Sequence, residues 1–582
     1  MENFKHYLAF AGAIFLGAVL RFAFLDYKAI WLDEAITALF SLGRSYQDIP
    51  LNSLFSLHQL QEIFTLNPES SCGQIADNLA RQSTHPPLFF CLIHYWLSLV
   101  GKNISPASSF WLGELRALPA FFGVLLIPVV YCLSRVAFSP KAGLVAAFFT
   151  AVSPFGVYLS QEARHYTLPM LLISVSLLCF ICIQNDLFKE RPVRLWLAAI
   201  WALVNTVGFY VHYFFILAFF AQIWILYKTC KKLKIFPDTQ SLITNPLLYF
   251  CLLPLVLFLP WVPVLLVHFG RPDSGWIPTP QNIEPFYQTL AGWLVMAIVL
   301  PVERQPVWVI IPCTLLMIFY AIWLGKNIFF SLNKLGENSQ KHRAAQTLIS
   351  FIFWVLLSFF FIVYLLQKDI TVAPRYNFVY YPAICALLGG CLSLAGLQTK
   401  KQNSQKITLI VIVVGIISSY FVIADLAFKK SFYPCELAED IIHLEPATPK
   451  VIAMAYKDYQ DVALGLSFGL EIHRHWRDKT PEIFFAFLPR KPLDNQSLPA
   501  HAYQIFWQSL TEIKKLPAFP LNLWVIVPQL EPKDYPQTLL LSDFQPQQNC
   551  LIDRNHYYNV GVPYQLYRCK SEVGFFTPNL NG

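Results

Sequence analysis

Residues 84–101, THPPLFFCLIHYWLSLVG, contain an apolar run that is too short to cross a membrane. A helix rises about 1.5 Å per residue, so a hydrocarbon core of about 30 Å needs about 20 residues, and the run from Pro86 to Val100 has fewer. His85 stands immediately before the two prolines that open the run. Whether this run crosses the bilayer decides the topology of everything that follows it.

The composition indicates a polytopic membrane protein. Of its 582 residues 56% are hydrophobic and only 13% are charged, whereas about 25% of the residues of a soluble globular chain are charged. The net charge of +8 does not predict a nucleic-acid partner, because the lysines and arginines stand in short clusters between apolar runs. Clusters of this kind are typical of cytoplasmic loops.

Apolar runs of spanning length predict about eleven transmembrane helices. They lie near residues 7–25, 114–134, 142–159, 165–183, 195–211, 213–227, 247–268, 307–325, 347–366, 376–396 and 407–427.

The basic loops orient these spans. Loops rich in Lys and Arg at 135–141, 187–194, 228–234, 326–346 and 400–406 all face one side if neither 86–100 nor the ambiguous run 286–301 crosses. If either run crossed alone, the loops downstream of it would change sides. We therefore predict that 86–100 lies along the outer surface as a juxtamembrane helix within a large outer loop, residues 26–113.

The chain changes character near residue 429. Strand-like runs at 450–456 and 521–530, with the helix-like stretch 509–516 between them, predict a small soluble α/β domain. The expected organisation is a membrane domain over 1–428 followed by an extracytoplasmic domain over 429–582. Cys550 and Cys569 could form a disulfide in an oxidising compartment, with Cys435 and Cys72 as competing partners.

Polar side chains gather on the predicted outer face. Each of these side chains also has a purely structural explanation. The acids can stabilise a helix N-terminus, SQEARHY can be a polar turn, and His85 can be incidental beside prolines that suit a first helical turn. Arg375 can extend to lipid headgroups, and His212 can be an interfacial histidine. Arginines on this face run against the positive-inside bias, which favours a specific role. The residues are Asp33, Glu34, His85, Glu162, Arg164, His212 and Arg375.

Several stretches resemble one family when taken in order. They are LRFAFLDYKAIWLDEAITAL, STHPPLFFCLIHYWLSLVG, ELRALPAFFGVLLIPVVYCLSRVAF, SPFGVYLSQEARHYTLPMLL, FYVHYFF and, later, PRYNFVYYP. Together they resemble the membrane-embedded GT-C glycosyltransferases related to protein O-mannosyltransferases and the lipid A aminoarabinose transferase. The resemblance covers residues 7–230 well and fades beyond about 430.

The resemblance implies the GT-C fold and an inverting transfer of a hexosyl or pentosyl group. The donor would be a polyprenyl-phosphate-linked sugar, and the acceptor a glycolipid, polysaccharide or protein on the periplasmic or luminal face. A bacterial inner membrane is the expected location, with the active site and the C-terminal domain on its periplasmic side. Membrane lipids are expected partners and nucleic acid is not.

The family's first-loop acid matches Asp33, which we expect to be the general base, with Glu34 orienting or assisting it. Guanidinium forks suit phosphate oxygens, so Arg375 and Arg164, with Tyr376, are expected to hold the donor phosphate. Glu162, His85 and His212 are candidates for binding the acceptor or a metal ion. A divalent metal ion is left open as a cofactor.

Other functions share part of this pattern. A lipid-linked polysaccharide ligase or polymerase would also combine a lipid-linked donor with a large outer loop. A lipid or sugar transporter would show polar residues or broken helices near mid-membrane, and the predicted spans contain few polar residues. A non-catalytic scaffold would tolerate loss of the acids.

Overall fold

The structure is a computed structural model of the chain. It describes residues 2–101, 104–108, 110–235, 245–271, 275–335, 339–394, 402–476, 481–491, 499–541 and 548–570. Part of the predicted basic loop at 400–406 lies outside the described residues.

The described elements are mainly helical in the first three quarters of the chain and mixed in the last. The helices are α1 (Glu2–Phe22), α2 (Leu32–Ser41), α3 (Leu57–Ile63), α4 (Cys72–Gln82), α5 (Leu88–Val100), α6 (Trp111–Ala137), α7 (Pro140–Val152), α8 (Pro154–Ser160), α9 (Thr167–Phe188), α10 (Leu195–Val211), α11 (Phe215–Lys232), α12 (Pro246–Phe258), α13 (Val262–Phe269), α14 (Glu284–Ala297), α15 (Val307–Leu335), α16 (Ser339–Leu365), α17 (Tyr381–Leu394), α18 (Gln402–Ile423), α19 (Pro434–His443), α20 (Tyr459–His475) and α21 (Pro499–Thr511). The strands are β1 (Leu54–Ser56), β2 (Lys450–Tyr456), β3 (Ile483–Pro489), β4 (Leu521–Ile526), β5 (Thr538–Leu541), β6 (Gln548–Asn559) and β7 (Pro563–Cys569).

The chain forms two compact units that interleave in sequence. The first, the helical unit, comprises Met1–Lys28, Cys72–Trp96 and Gly113–Lys429. The second, the sheet unit, comprises Ala29–Ser71, Leu97–Leu112 and Lys430–Gly582. Part of the predicted outer loop thus belongs to the same unit as the C-terminal region, while the division of the chain into domains 1–428 and 429–582 stays a prediction.

The helical unit has the character of a multi-pass membrane protein. Among the described residues, seven helices are long and apolar enough to span a bilayer, and the bent pair α7–α8 raises the number to eight. Several other predicted spans correspond to shorter apolar helices, such as α10 and α17. The helical membrane architecture is therefore confirmed, whereas the number of eleven spans stays a prediction.

The two ambiguous runs both form short helices. The run at 86–100 forms α5, which has 13 residues, and the run at 286–301 forms α14, which has 14. At about 1.5 Å per residue, either helix extends only about 20 Å, which is the length expected of helices that do not cross. The opening stretch is thus a short apolar helix that begins just after His85.

The described part of the helical unit contains a broken helix, and Arg21 of α1 donates hydrogen bonds to carbonyl oxygens at the break. α7 and α8 are bent by 56° on either side of Ser153. Pro154 has no N–H, so the carbonyl of Thr150 loses its partner within the helix. The Arg21 guanidinium donates to the carbonyl oxygens of Thr150 and Ala151, both at 2.8 Å. α8 then leads into residues 161–166, whose Gln161 Nε2 donates to the carbonyl of Ala23 at 2.8 Å.

Replacing Arg21 by Leu is expected to lower stability sharply. The change leaves two buried carbonyl oxygens without donors, and each lost charge-assisted hydrogen bond costs roughly 1.5–3 kcal/mol. The melting temperature of the detergent-solubilised protein measures the loss. Arg81→Leu is the control, because Arg81 is exposed and its ion pair with Asp77 lies at the surface. An equal melting temperature for Arg21→Leu and the wild type would contradict the assignment.

The sheet unit is built on a seven-stranded mixed sheet with the order β1-β3-β2-β4-β7-β6-β5. β2 pairs in parallel with β3 and β4, and the remaining pairs are antiparallel. The strands predicted at 450–456 and 521–530 are confirmed as β2 and β4. The helix predicted at 509–516 is wrong in its bounds, since α21 ends at Thr511. β1, which comes from the predicted outer loop, forms one edge of this sheet.

Two disulfides are present among the described residues. Cys550 and Cys569 face each other across β6 and β7 and are bonded, as predicted. Cys72 is bonded to Cys91 within the helical unit, and the thiol of Cys435 is free. Both bonds involve only residues of the predicted outer loop or of the C-terminal region.

Candidate functional site

The SQEARHY segment is a buried turn. It joins α8 to α9, and the side chains of Glu162, Arg164 and His165 are only 2–4% exposed. An ordinary polar turn between spans would be solvated, so burial of an acid, an arginine and a histidine together indicates a site built inside the helical unit.

Arg164 contacts His85 directly. Arg164 Nη2 donates to His85 Nε2 at 3.0 Å, since a guanidinium cannot accept a hydrogen bond. His85 Nε2 must therefore carry the lone pair, and Nδ1 carries the proton that it donates to Ser83 Oγ at 2.9 Å. The sequence-predicted residues Arg164 and His85, which lie far apart in the chain, are thus brought together.

Two more histidines extend this contact into a cluster. The ring centroid of His165 lies 5.4 Å from that of His85 and 4.5 Å from that of His212. Burial, and then the neighbouring charge of Arg164, holds the pKa of His85 well below its usual range. Burial, followed by His212 and Arg164, lowers the pKa of His165 in the same way. Near pH 7 these imidazoles are neutral, and the arginines carry the positive charge.

Arg375 and Tyr376 lie in the short 3-10 helix Pro374–Val379. The Arg375 guanidinium stacks over the rings of Trp276, at 5.1 Å, and of Tyr376, at 5.6 Å. Its charge also helps to lower the pKa of His85, so Arg375 faces the same cluster. The ring of Tyr376 lies 6.4 Å from that of His212. A cation stacked on aromatic faces is more ordered than an arginine extended towards lipid headgroups.

Asp33 and Glu34 belong to the sheet unit. They occupy the first turn of α2 and are 9% and 0% exposed. Acidic side chains are common in the first turn of a helix, where the helix dipole attracts negative charge. Ile30, just before α2, donates its backbone N–H to the buried Glu471 carboxylate at 2.8 Å.

Comparison with known proteins identifies a solved structure with a similar fold. No protein-family model matches the sequence, and a search of curated proteins gives no match. The structure of apo ArnT from Cupriavidus metallidurans aligns with a TM-score of 0.53 and 11% identity, covering 97% of this chain and 98% of that one. This chain shares the fold of ArnT.

Two further structures are similar. ArnT from Cupriavidus metallidurans bound to undecaprenyl phosphate aligns with a TM-score of 0.50 and 12% identity over 97% of each chain. The oligosaccharyltransferase AglB from Archaeoglobus fulgidus, in complex with an inhibitory peptide and a dolichol-phosphate, aligns with a TM-score of 0.42 and 14% identity over 81% of this chain and 64% of its own. The ArnT similarity confirms at the level of the fold the GT-C resemblance carried by the motifs.

Within this ArnT-like fold, sequence analysis missed two histidines. His165 lies inside the SQEARHY motif, yet its spacing alone did not separate it from an ordinary turn residue. His268 accepts a hydrogen bond at Nδ1 from Tyr213 Oη at 2.8 Å, and Tyr213 in turn accepts from Trp261 Nε1 at 3.0 Å. The sequence feature that could have pointed to His268 is its position at the end of a long apolar run, which in the structure is the last turn of α13.

The buried histidines predict that acid destabilises the protein. The folded-state pKa of His165 lies below the unfolded value of about 6.5, so the unfolded state takes up the proton first and stability falls as pH drops below about 6.5. The slope per histidine approaches 1.4 kcal/mol per pH unit. We expect His165→Gln to flatten the fall in melting temperature between pH 7.5 and 5.5, and the exposed control His58→Gln to leave it unchanged. Equal slopes in all three proteins would contradict the prediction.

Proposed function

We propose that the chain is a glycosyltransferase that moves a sugar from a polyprenyl-phosphate donor to an acceptor outside the cytoplasm. The observation that carries this proposal is the buried Arg164–His85 contact, with the Arg375 charge facing it, inside a membrane unit with the fold of ArnT. The similarity to ArnT with bound undecaprenyl phosphate supports a lipid phosphate as the ligand class.

A phosphate is the ligand that these charges favour. Arg164 and Arg375 supply fixed positive charge, and both lower the pKa values of the neighbouring histidines. The positive charges of Arg164 and Arg375 repel each other, and a bound anion would offset this repulsion. Guanidinium forks also match the geometry of phosphate oxygens. The rings of Trp276 and Tyr376 border the Arg375 guanidinium and provide apolar surface next to the charge.

The reaction that fits is a single inverting displacement at the anomeric carbon. The acceptor hydroxyl oxygen forms the new bond to that carbon, while the bond to the lipid-phosphate oxygen breaks and its electron pair stays on the phosphate. Asp33 takes the hydroxyl proton as general base, and Glu34 orients or assists it. Arg375 and Arg164, with Tyr376, stabilise the charge on the departing phosphate.

Glu162, His85 and His212 are proposed to orient the sugar or the acceptor. A metal ion fits His85 poorly, because both of its ring nitrogens are already hydrogen-bonded, to Ser83 and Arg164. His212 uses its Nδ1 to accept the backbone N–H of Phe214 at 3.0 Å, which leaves its Nε2 as the donor towards a ligand. The reaction as proposed needs no step through a metal.

The periplasmic face of a bacterial inner membrane is the proposed location of the site. Both described disulfides, Cys72–Cys91 and Cys550–Cys569, join segments predicted to lie outside the cytoplasm. Disulfides persist in oxidising compartments. Cysteines in the apolar helices, such as Cys179 and Cys391, remain free and buried.

The test is turnover of a defined donor by the purified protein. We expect release of polyprenyl phosphate from a polyprenyl-phosphate sugar, and transfer of the sugar when a suitable acceptor is supplied. A panel of hexosyl and pentosyl donors separates the sugar classes. Arg375→Ala should weaken donor binding much more than Arg375→Lys. A protein that binds no polyprenyl-phosphate donor in this panel would overturn the proposal, and uptake of an intact donor into vesicles would favour a transporter.

A further inference from the structure

Three side chains of metal-binding type converge in the sheet unit, apart from the site described above. Cys435 lies in the first turn of α19, and Glu471 and His475 lie one turn apart at the end of α20. Cys435 Sγ is 3.7 Å from His475 Nε2, which is 3.3 Å from Glu471 Oε2. All three ligand atoms lie within 4.8 Å of one another.

The two oxygens of the Glu471 carboxylate have different neighbours. Its Oε1 accepts the backbone N–H of Ile30 at 2.8 Å and lies 3.3 Å from Arg474 Nη1. Its Oε2 is fully buried and lies 3.3 Å from His475 Nε2, although no contact that it makes among the described residues has hydrogen-bond geometry. A buried carboxylate oxygen without a well-formed hydrogen bond is costly, and a metal ion bound on the side where Cys435 and His475 lie would give it a stronger partner.

Two of the three separations are close to those of a tetrahedral metal centre. Zinc–ligand distances of about 2.0–2.3 Å at a tetrahedral angle place neighbouring ligand atoms about 3.3–3.6 Å apart. The two measured edges, 3.3 Å and 3.7 Å, are close to this range. A thiolate with an imidazole and one carboxylate favours zinc over magnesium or calcium, which prefer oxygen ligands.

We propose that Cys435, Glu471 and His475 bind a thiophilic divalent cation of the zinc class. Such an ion offsets the buried charge of Glu471 and fixes the carboxylate whose other oxygen holds Ile30, two residues before α2. Cys435 is half-buried and His475 is exposed, so an ion could reach the site, and the Glu439 carboxylate lies 3.6 Å from Cys435 Sγ. Cys435 is suited to this role because its thiol is not consumed in a disulfide.

A proton on His475 Nε2 is the competing explanation. It would make the Glu471–His475 contact an ordinary ion pair, and that pair would not need Cys435. The two explanations therefore differ in what the thiol does. The proposal is independent of the transferase reaction, because metal content is measured without any donor.

The experiment uses the full chain in detergent, stripped with a chelator and then incubated with Zn²⁺. After desalting, we expect about one retained zinc per chain in the wild type, and loss of that zinc in Cys435→Ser and in His475→Gln. Cys132→Ser is the matched control, because Cys132 is an exposed free thiol of the helical unit. Co²⁺ serves as a second probe, since a thiolate-to-cobalt charge-transfer band should appear in the wild type and vanish in Cys435→Ser.

Stability provides the check on folding. With chelator present, Cys435→Ser should melt at the wild-type temperature, and Zn²⁺ should raise the melting temperature of the wild type and of Cys132→Ser but not that of Cys435→Ser. Three results would each overturn the proposal: no retained zinc in the wild type, equal zinc in the wild type and Cys435→Ser, or no charge-transfer band with Co²⁺.

Discussion

Replacing Asp33 by Asn is expected to lower sugar transfer by about 10²–10⁴-fold, the range that a positioned general base contributes. Asn keeps the size of the side chain but cannot accept the acceptor's proton. The fold should survive, because Asp33 is in the first turn of α2, where loss of a charge costs only about 0.3–1 kcal/mol. Initial rates with a polyprenyl-phosphate sugar measure the effect, and donor binding should change little.

The control for this variant is Glu284→Gln. Glu284 is also an acid in the first turn of a helix, α14, and we assign it no role in the reaction. If Asp33→Asn retains near-normal rates, Asp33 is not the base, and its burial at the start of α2 would be purely structural. If both variants lose activity equally, the effect comes from helix stability rather than from proton transfer.

Local sequence patterns predicted the helical architecture and supplied the candidate site residues, whose roles stay predictions. Apolar runs long enough to span a bilayer predicted α6, α9 and α16. The order of the motifs indicated the GT-C resemblance, which the comparison with ArnT confirms for the fold. The break between α7 and α8 was not predicted, because the apolar run continues through it. The break depends on Pro154 and on a distant side chain, Arg21.

Long-range pairing is what the sequence could not show. β1, only three residues long, pairs antiparallel with β3, from which it is separated by more than 400 positions. Nothing in Leu54–Ser56 distinguishes it from any short loop segment. The Arg164–His85 contact is of the same kind, since each residue was found by its local motif but their hydrogen bond follows from tertiary packing.

We predict that the C-terminal region, residues 429–582, guides or selects the acceptor while the membrane region does the chemistry. The interleaving of the two units in sequence changes how this prediction can be tested. Ending the chain near Lys430 would remove β3, the partner of β1, and Glu471, the acceptor of the Ile30 N–H. Such a truncation would disturb Ala29–Ser71 together with the C-terminal region, so it cannot separate chemistry from acceptor choice. Point changes on exposed positions of β5, such as Leu540, leave both contacts in place.

Replacing Arg164 by Ala is expected to weaken binding of polyprenyl phosphate by roughly 10- to 100-fold, the effect of losing a charge-assisted hydrogen bond of about 1.5–3 kcal/mol. Arg164→Lys should recover part of the affinity, since it restores a point charge but not the fork. The exposed Arg81→Ala should bind normally.

A purely structural role for Arg164 makes a different prediction. In that case Arg164→Ala would lower the melting temperature without a selective loss of binding, and Lys would rescue nothing. Removing the Arg164 charge should also raise the pKa of His85, because that charge is one of the causes that lower it. The pH below which donor binding changes should therefore shift upward in Arg164→Ala and much less in Arg164→Lys. A binding profile that does not move with pH in any of the three proteins would remove Arg164 and His85 from the phosphate site together.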